Sequence, residues 1–180
     1  LLPAPLRLPT DHEECKQEYH QGNVSSACRK YEEAYSCWRY FSSNNPKWNT
    51  EGIDDTQLTE IEWQGATPQE NEWIRQHKIQ RSEIAACLLK EQNFADALPV
   101  ANEVLRLDPD NKVALFRRAK AISMPINASV EDLEAAIADL EKINSQETRI
   151  LKEIERLQKQ AKINRQREKQ TYGKMFFRNS

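Results

Sequence analysis

The cysteines and histidines are the side chains that could bind a metal ion or act as nucleophiles. The four cysteines and three histidines form no C-x-x-C pair and no other metal-ligand spacing. No nucleophile is paired with a base, so the chain is predicted to be non-enzymatic and to bind no metal or cofactor. Reduced, mostly buried thiols are expected, which is typical of a cytoplasmic protein. These residues are Cys15, Cys28, Cys37, Cys87, His12, His20 and His77.

Basic side chains are concentrated near the C-terminus. Residues 1–110 carry 19 acidic and 11 basic side chains, whereas residues 111–180 carry 9 and 15. The run 156–178 holds eight basic residues and one acidic residue. It could bind an acidic protein or a nucleic-acid surface, of which nucleic acid is the less expected partner. Its weak apolar spacing argues against an ordinary amphipathic target and favours a solvated helix face. The candidate contacts of this basic helix are Arg156, Lys159, Lys162, Arg165, Arg167 and Lys169.

Helices must position these side chains, because Gly is rare and strand-like alternation is missing. From Ala85 to Lys120, apolar and small residues recur three and four positions apart, with a break at 108–110. Ala85 and Ala119 lie 34 residues apart, which is the period of one tetratricopeptide unit. Small residues stand at the equivalent positions of the other helices, where paired helices approach closely. They are Cys15, Ala27, Ala97 and Ala136.

The predicted fold is all-α, a tetratricopeptide superhelix of three helix pairs plus a long C-terminal capping helix. Residues 1–10 are expected to form an extended Pro-rich linker or strap. The three repeats occupy 11–144, with a long loop at 42–66 between the first and the second. The capping helix with its basic end occupies 145–180. The helices are predicted at about 11–21, 24–41, 68–90, 94–107, 112–123, 130–143 and 146–177.

Thr67 and Glu70 are predicted to form a capping box at the start of the third helix. No apolar run approaches the roughly 18 residues that a membrane span requires, so no membrane contact is predicted. The chain does not begin with Met, and we expect a further segment upstream.

Two groups of residues permit more than one interpretation. Trp48, Trp63 and Trp73 could form a partner-binding patch, although such residues more often anchor a long loop to a core. Arg117 and Arg118 could hold a ligand or lie on a solvated helix face.

Four segments resemble the C-terminal tetratricopeptide domain of the large immunophilins, both FKBP-type and cyclophilin-type. They are IAACLLK (84–90), VLRLDPDNKVALFRRAKA (104–121), DLEAAIADLEKI (132–143) and QREKQTYGKMF (166–176). In such proteins the domain binds the acidic C-terminal peptide of the ninety-kilodalton heat-shock chaperone, and the last helix is thought to bind calmodulin. The resemblance therefore implies a co-chaperone-like module that binds another protein.

The resemblance also implies a carboxylate clamp of two Lys, two Asn and one Arg. The matching positions are His12, Lys16, Glu83, Val113 and Arg117, of which only Arg117 has the expected type. Glu83 would repel a ligand carboxylate unless Lys16 or Arg117 pairs with it. Lys90, Lys112 and Lys120 could restore positive potential, although Lys112 lies one residue from the clamp position and is expected to face elsewhere on the helix. The candidate partner-binding groove is thus His12, Lys16, Glu83, Lys90, Arg117 and Lys120.

Three functions stay open at this point. The first is an adaptor that grips a partner peptide in the groove; a chaperone tail is possible but disfavoured by Glu83 and Val113. The second is a structural subunit of a large assembly that contacts its neighbours through its termini and the long loop. The third is part of a peptidyl-prolyl isomerase whose catalytic domain lies upstream, outside this chain.

Overall fold

The computed structural model describes residues 12–36, 39, 41–52, 54–61, 65–144 and 146–177, of which residues 48 and 171–177 are described by their backbone alone. The linker predicted at 1–10 lies outside these residues. The helices are α1 (His12–Gln21), α2 (Val24–Ser36), α3 (Trp48–Glu51), α4 (Pro68–Lys90), α5 (Phe94–Leu107), α6 (Lys112–Ser123), α7 (Val130–Lys142) and α8 (Thr148–Phe177). The strands are β1 (Phe41–Ser43) and β2 (Leu58–Glu60). The chain divides into two compact units, residues 1–84 and residues 85–180.

In the first unit, α1 and α2 pack against each other across a tight turn. Gly22 has φ +94°, a conformation that favours glycine, and its N–H bonds back to the Tyr19 carbonyl at 3.3 Å. Cys15 and Ala27 are buried at the predicted small positions of the pair, with 1% and 0% exposure. Lys30 of α2 reaches across to α1 and donates to Glu14 and Glu18 at 2.6 and 2.7 Å. These two carboxylates raise the pKa of Lys30.

The prediction that α2 continues to residue 41 was wrong, because the helix ends at Ser36. The Ser36 hydroxyl donates to the Glu33 carbonyl at 2.7 Å, a local bond that competes with helical hydrogen bonding. Arg39 is already outside the helix, and its guanidinium binds the Glu60 carboxylate through two 3.0 Å hydrogen bonds.

The segment 42–66, predicted as a loop without strands, contains a small antiparallel sheet. Its register pairs Phe41 with Glu60, Ser42 with Thr59 and Ser43 with Leu58. Each strand has only three residues, which is too short for alternation to be recognised in the sequence. Of the three tryptophans considered for a patch, Trp73 is a core residue at 1% exposure. The Trp48 side chain and Trp63 lie outside the described residues.

Helix α4 begins where the sequence predicted. The Thr67 hydroxyl accepts the Glu70 backbone N–H at 3.1 Å, which caps the helix. The Glu70 carboxylate bonds to the backbone N–H of Ala66 at 3.0 Å, one residue before the position expected for a capping box.

In the second unit, α5 to α8 pack in sequence, and asparagine or serine side chains set where they begin. Asn93, Asn111 and Ser129 cap α5, α6 and α7, and Ser129 forms a complete capping box with Asp132. The predicted bounds of α5 and α6 match, whereas α7 ends one residue earlier and α8 begins two residues later than expected.

The predicted capping role of α8 is confirmed within the second unit. Ile150, Leu157 and Ala161 are buried in one cluster with Leu115 of α6 and other side chains of α6 and α7. The first half of α8 therefore covers the apolar face that the last helix pair would otherwise expose. Among the described helices, none combines the length and the apolar character needed to cross a bilayer.

Candidate partner-binding site

In the second unit, the first turns of α6 and α8 enclose a cleft of about 230 Å³, which we call the α6–α8 cleft. Asn111 caps the start of α6, and the first turn of this helix forms one wall of the cleft. The α7–α8 connection forms the opposite wall. The lining residues are Lys112, Val113, Phe116, Ile143, Glu147, Arg149 and Ile150.

Apolar side chains form most of the cleft surface. Val113 is 52% exposed, and the half-buried Phe116 packs against the core cluster beneath it. The guanidinium carbon of Arg149 lies 4.9 Å from the centre of the Phe116 ring, a cation–π distance. An exposed valine on its own needs no explanation, but here it adjoins an aromatic ring and a cleft deep enough for a side chain.

Two cations stand at the cleft without an ion pair among the described residues. They are Lys112 and Arg149, both exposed, while Glu147 contributes the only acidic group among the lining residues. The cleft therefore combines apolar surface with a net positive charge. A complementary ligand carries an apolar side chain next to acidic groups.

A cluster of charged side chains adjoins the cleft. Lys120 of α6 donates to Glu153 of α8 at 2.7 Å, and Arg156 donates to the same carboxylate at 2.9 and 3.0 Å. The hydrogen bonds from Arg156 and Lys120 lower the pKa of Glu153 from its ordinary value to about 2, although burial opposes the shift. Lys120, a predicted groove cation, is thus paired inside the chain.

Arg118 is paired inside the chain. It binds the buried Asp139 of α7 through two hydrogen bonds, Nε to Oδ2 at 2.7 Å and Nη2 to Oδ1 at 2.5 Å, and also donates to Asn102 at 3.3 Å. Arg118 therefore holds α5, α6 and α7 together. Arg117 is half-buried on α6, one turn after Val113.

The other predicted groove residues belong to different units. In the first unit, His12 meets Tyr31 edge to face at 5.6 Å, and Lys16 donates to Glu13 at 2.9 Å. Glu13, and more weakly the charge of Glu83, raise the pKa of Lys16. Lys90 is exposed at the end of α4, in the second unit with Arg117 and Lys120. A joint groove built from all six residues stays a prediction.

Several basic side chains of α8 form ion pairs within the chain. Arg156 pairs with Glu153, Lys159 pairs with Glu155 at 2.7 Å, and Arg165 pairs with Glu134 of α7. These pairs leave less positive charge for an acidic partner such as the calmodulin that the resemblance implies. The remaining candidates, Lys162, Arg167 and Lys169, are exposed.

No group of three potential metal ligands occurs in the described part of the chain. Cys15, Cys28 and Cys87 are buried and take part in no disulfide, and burial raises the pKa of Cys15. Sequence reasoning missed two features, the cleft and the role of Glu153. Val113 and Phe116 could have indicated the cleft, because both stand on one side of a short helix. The spacing of Glu153 and Arg156 is a local signal, but nothing nearby marks the contact with Lys120, which lies 33 residues away.

No protein-family model matches the chain. Aryl-hydrocarbon-interacting protein-like 1 of Mus musculus is 29% identical over 136 residues, which cover 76% of this chain and 34% of that protein. The Homo sapiens peptidyl-prolyl cis-trans isomerase FKBP4 is 33% identical over 102 residues, which cover 53% of this chain and 20% of that protein. The chain thus spans about a third or less of the length of these curated relatives.

Two solved structures share the fold. The TPR domain of P58(IPK) superimposes with a TM-score of 0.53 at 21% identity, covering 82% of this chain and 32% of that one. The C-terminal TPR-containing domain of a Plasmodium falciparum FK506-binding protein superimposes with a TM-score of 0.55 at 20% identity, covering 86% of this chain and 87% of that one. Both confirm the predicted all-α tetratricopeptide fold. The chain is a tetratricopeptide module of the protein-interaction class, and it resembles the C-terminal halves of the immunophilins.

Proposed function

We propose that the chain is the non-catalytic, partner-binding part of an immunophilin-like protein and that it holds a segment of another protein at the α6–α8 cleft. The α6–α8 cleft is the observation that carries this proposal. Its exposed Val113, its aromatic Phe116 and its two cations form a surface that one side chain of a partner can enter. Any isomerase activity belongs to a domain outside these residues, and the cytoplasm is the proposed location.

The cleft chemistry selects an acidic segment that also has an apolar side chain. Val113 stands where the resemblance implies a clamp lysine, so this position contributes apolar contact instead of charge. Lys112 and Arg149 supply positive charge from neighbouring positions. The partner segment is therefore held by burial of an apolar side chain together with charge-assisted hydrogen bonds.

The proposal is tested with a fluorescein-labelled peptide that copies the acidic tail of the ninety-kilodalton heat-shock chaperone. Fluorescence anisotropy should show micromolar binding that weakens as salt is raised, because the cations are exposed. Arg149→Ala and Val113→Asp should each weaken binding by about tenfold or more. Arg117→Ala tests the groove residue that matches the resemblance, and it should also weaken binding.

Lys152→Ala is the matched control, because Lys152 is an exposed cation on α8 outside the cleft. It should leave the affinity unchanged. Absence of binding up to millimolar peptide contradicts the proposal, as does equal loss of affinity in Lys152→Ala and Arg149→Ala.

A structural role in a larger assembly is the second candidate, and one observation favours it. Met124 and Ile126, in the connection between α6 and α7, are 45% and 107% exposed. Adjacent apolar side chains projecting into solvent are typical of a contact with another protein. Ile126→Ser should then reduce recovery of co-purifying subunits without changing peptide affinity. Unchanged recovery would remove the support that this connection gives to the second candidate.

A further inference from the structure

The cluster beside the cleft contains a carboxylate in a position that a ligand carboxylate could otherwise occupy. Lys120 lies one turn after Phe116 on α6, and its ammonium nitrogen is 5.7 Å from the centre of that ring. Phe116 lines the cleft, so Lys120 lies next to the cleft. The Lys120 ammonium and the Arg156 guanidinium converge on Glu153, with donor–acceptor distances of 2.7, 2.9 and 3.0 Å.

This position is open to solvent from the side of the cations. The side chains of Lys120 and Arg156 are 26% and 51% exposed, whereas that of Glu153 is 15% exposed. A ligand carboxylate that approaches Lys120 meets donors already engaged and a like charge behind them. Lys112 and Arg149 are different, because neither forms an ion pair among the described residues.

We propose that Glu153 is a specificity-determining residue of the α6–α8 cleft, because its carboxylate fills the position where Lys120 and Arg156 converge and excludes a partner's terminal carboxylate from it. This inference rests on the proposed function and specifies its ligand. The accepted segment is an internal acidic stretch or a chain end whose terminal carboxylate points away from Lys120. Its apolar side chain enters the cleft, and its acidic side chains meet Lys112 and Arg149.

The test compares two forms of the acidic-tail peptide, one with a free C-terminal carboxylate and one with a C-terminal amide. The wild-type chain should bind both with similar affinity. Glu153→Ala frees Lys120 and Arg156, so its gain in affinity should be about tenfold larger for the free-carboxylate form than for the amide form. Adding Lys120→Met to Glu153→Ala should abolish that gain.

Glu155→Ala is the matched control. It removes the same charge from the same helix, two residues further along, and its partner Lys159 lies outside the cleft. It should not separate the two peptide forms. If Glu153→Ala melts early by circular dichroism, Glu153→Gln keeps the side-chain shape and should show the same selectivity with a smaller gain.

Three results overturn the inference. A wild-type chain that prefers the free carboxylate through Lys120 shows that the position is accessible. Equal binding of both forms by the wild type, unchanged in Glu153→Ala and Glu153→Gln, shows that Glu153 does not control selectivity and leaves the proposed function standing. Failure of every variant to bind either form removes the inference and the proposed function together.

Discussion

Asp139→Ala tests the buried ion pair that joins α6 to α7. The Asp139 side chain is 9% exposed and accepts both hydrogen bonds of the Arg118 fork, at 2.5 and 2.7 Å. Arg118 also donates to Asn102 of α5 at 3.3 Å. Removing the carboxylate leaves the guanidinium between three helices with one weak hydrogen bond.

The expected cost follows from the burial of both partners. Breaking a buried pair from one side costs about 3–5 kcal/mol, because the remaining charge is desolvated and unpaired. The Arg118 side chain is 31% exposed and regains part of its hydration, so we expect a loss of about 2–3 kcal/mol of unfolding free energy. Asp110→Ala is the control: Asp110 is 86% exposed and lies 3.0 Å from Lys142, so its removal should cost about 0–1 kcal/mol.

Urea unfolding followed by far-ultraviolet circular dichroism measures both changes, provided that the m-values stay equal. A double-mutant cycle with Arg118→Ala should give a coupling energy of at least about 1 kcal/mol. The reasoning is refuted if Asp139→Ala costs no more than Asp110→Ala, or if the cycle shows no coupling.

Three further predictions concern stability and use the same unfolding assay. Leu157→Ala removes a side chain of 0% exposure and should cost about 2–5 kcal/mol, whereas Leu151→Ala, at 47% exposure, should cost less than about 1 kcal/mol; equal costs would contradict the described packing of α8. Glu153 has its pKa lowered from 4.5 to about 2, so the stability it contributes is present above pH 4.5 and is lost as the pH falls towards 2. Glu153→Gln should therefore lose less unfolding free energy than the wild type across that interval. Parallel profiles of unfolding free energy against pH would disprove the lowered pKa of Glu153. Pro99 lies inside α5 and is exposed, so Pro99→Ala restores a helical N–H and should add about 1–3 kcal/mol; a loss of stability would show that the ring is needed.

Much of the helical framework could be predicted because its signals are local. Asn93 and Asn111 stand just before an apolar-periodic run, and their side chains accept backbone N–H groups at 3.3 and 3.0 Å. The small residues at Ala97 and Ala136 are both 0% exposed, which is where close approach of paired helices required them. The end of α2 was misjudged because Phe41 belongs to a strand that pairs with Glu60, and no nearby residue signals that pairing.

The repeat period and most helix starts could be predicted because each depends on residue type and short spacing. The same holds for the mismatch of Glu83 and Val113 with the clamp that the resemblance implies. Which charges meet depends on how the helices pack. Arg118 joins Asp139 across 21 residues and Lys120 joins Glu153 across 33, and charged side chains on different helices carry no periodic signal of their partner. The physical reason is that packing the apolar faces sets the helix positions, and these positions then select the ion pairs. Lys120, predicted as a groove cation, is for this reason paired with Glu153 of its own chain.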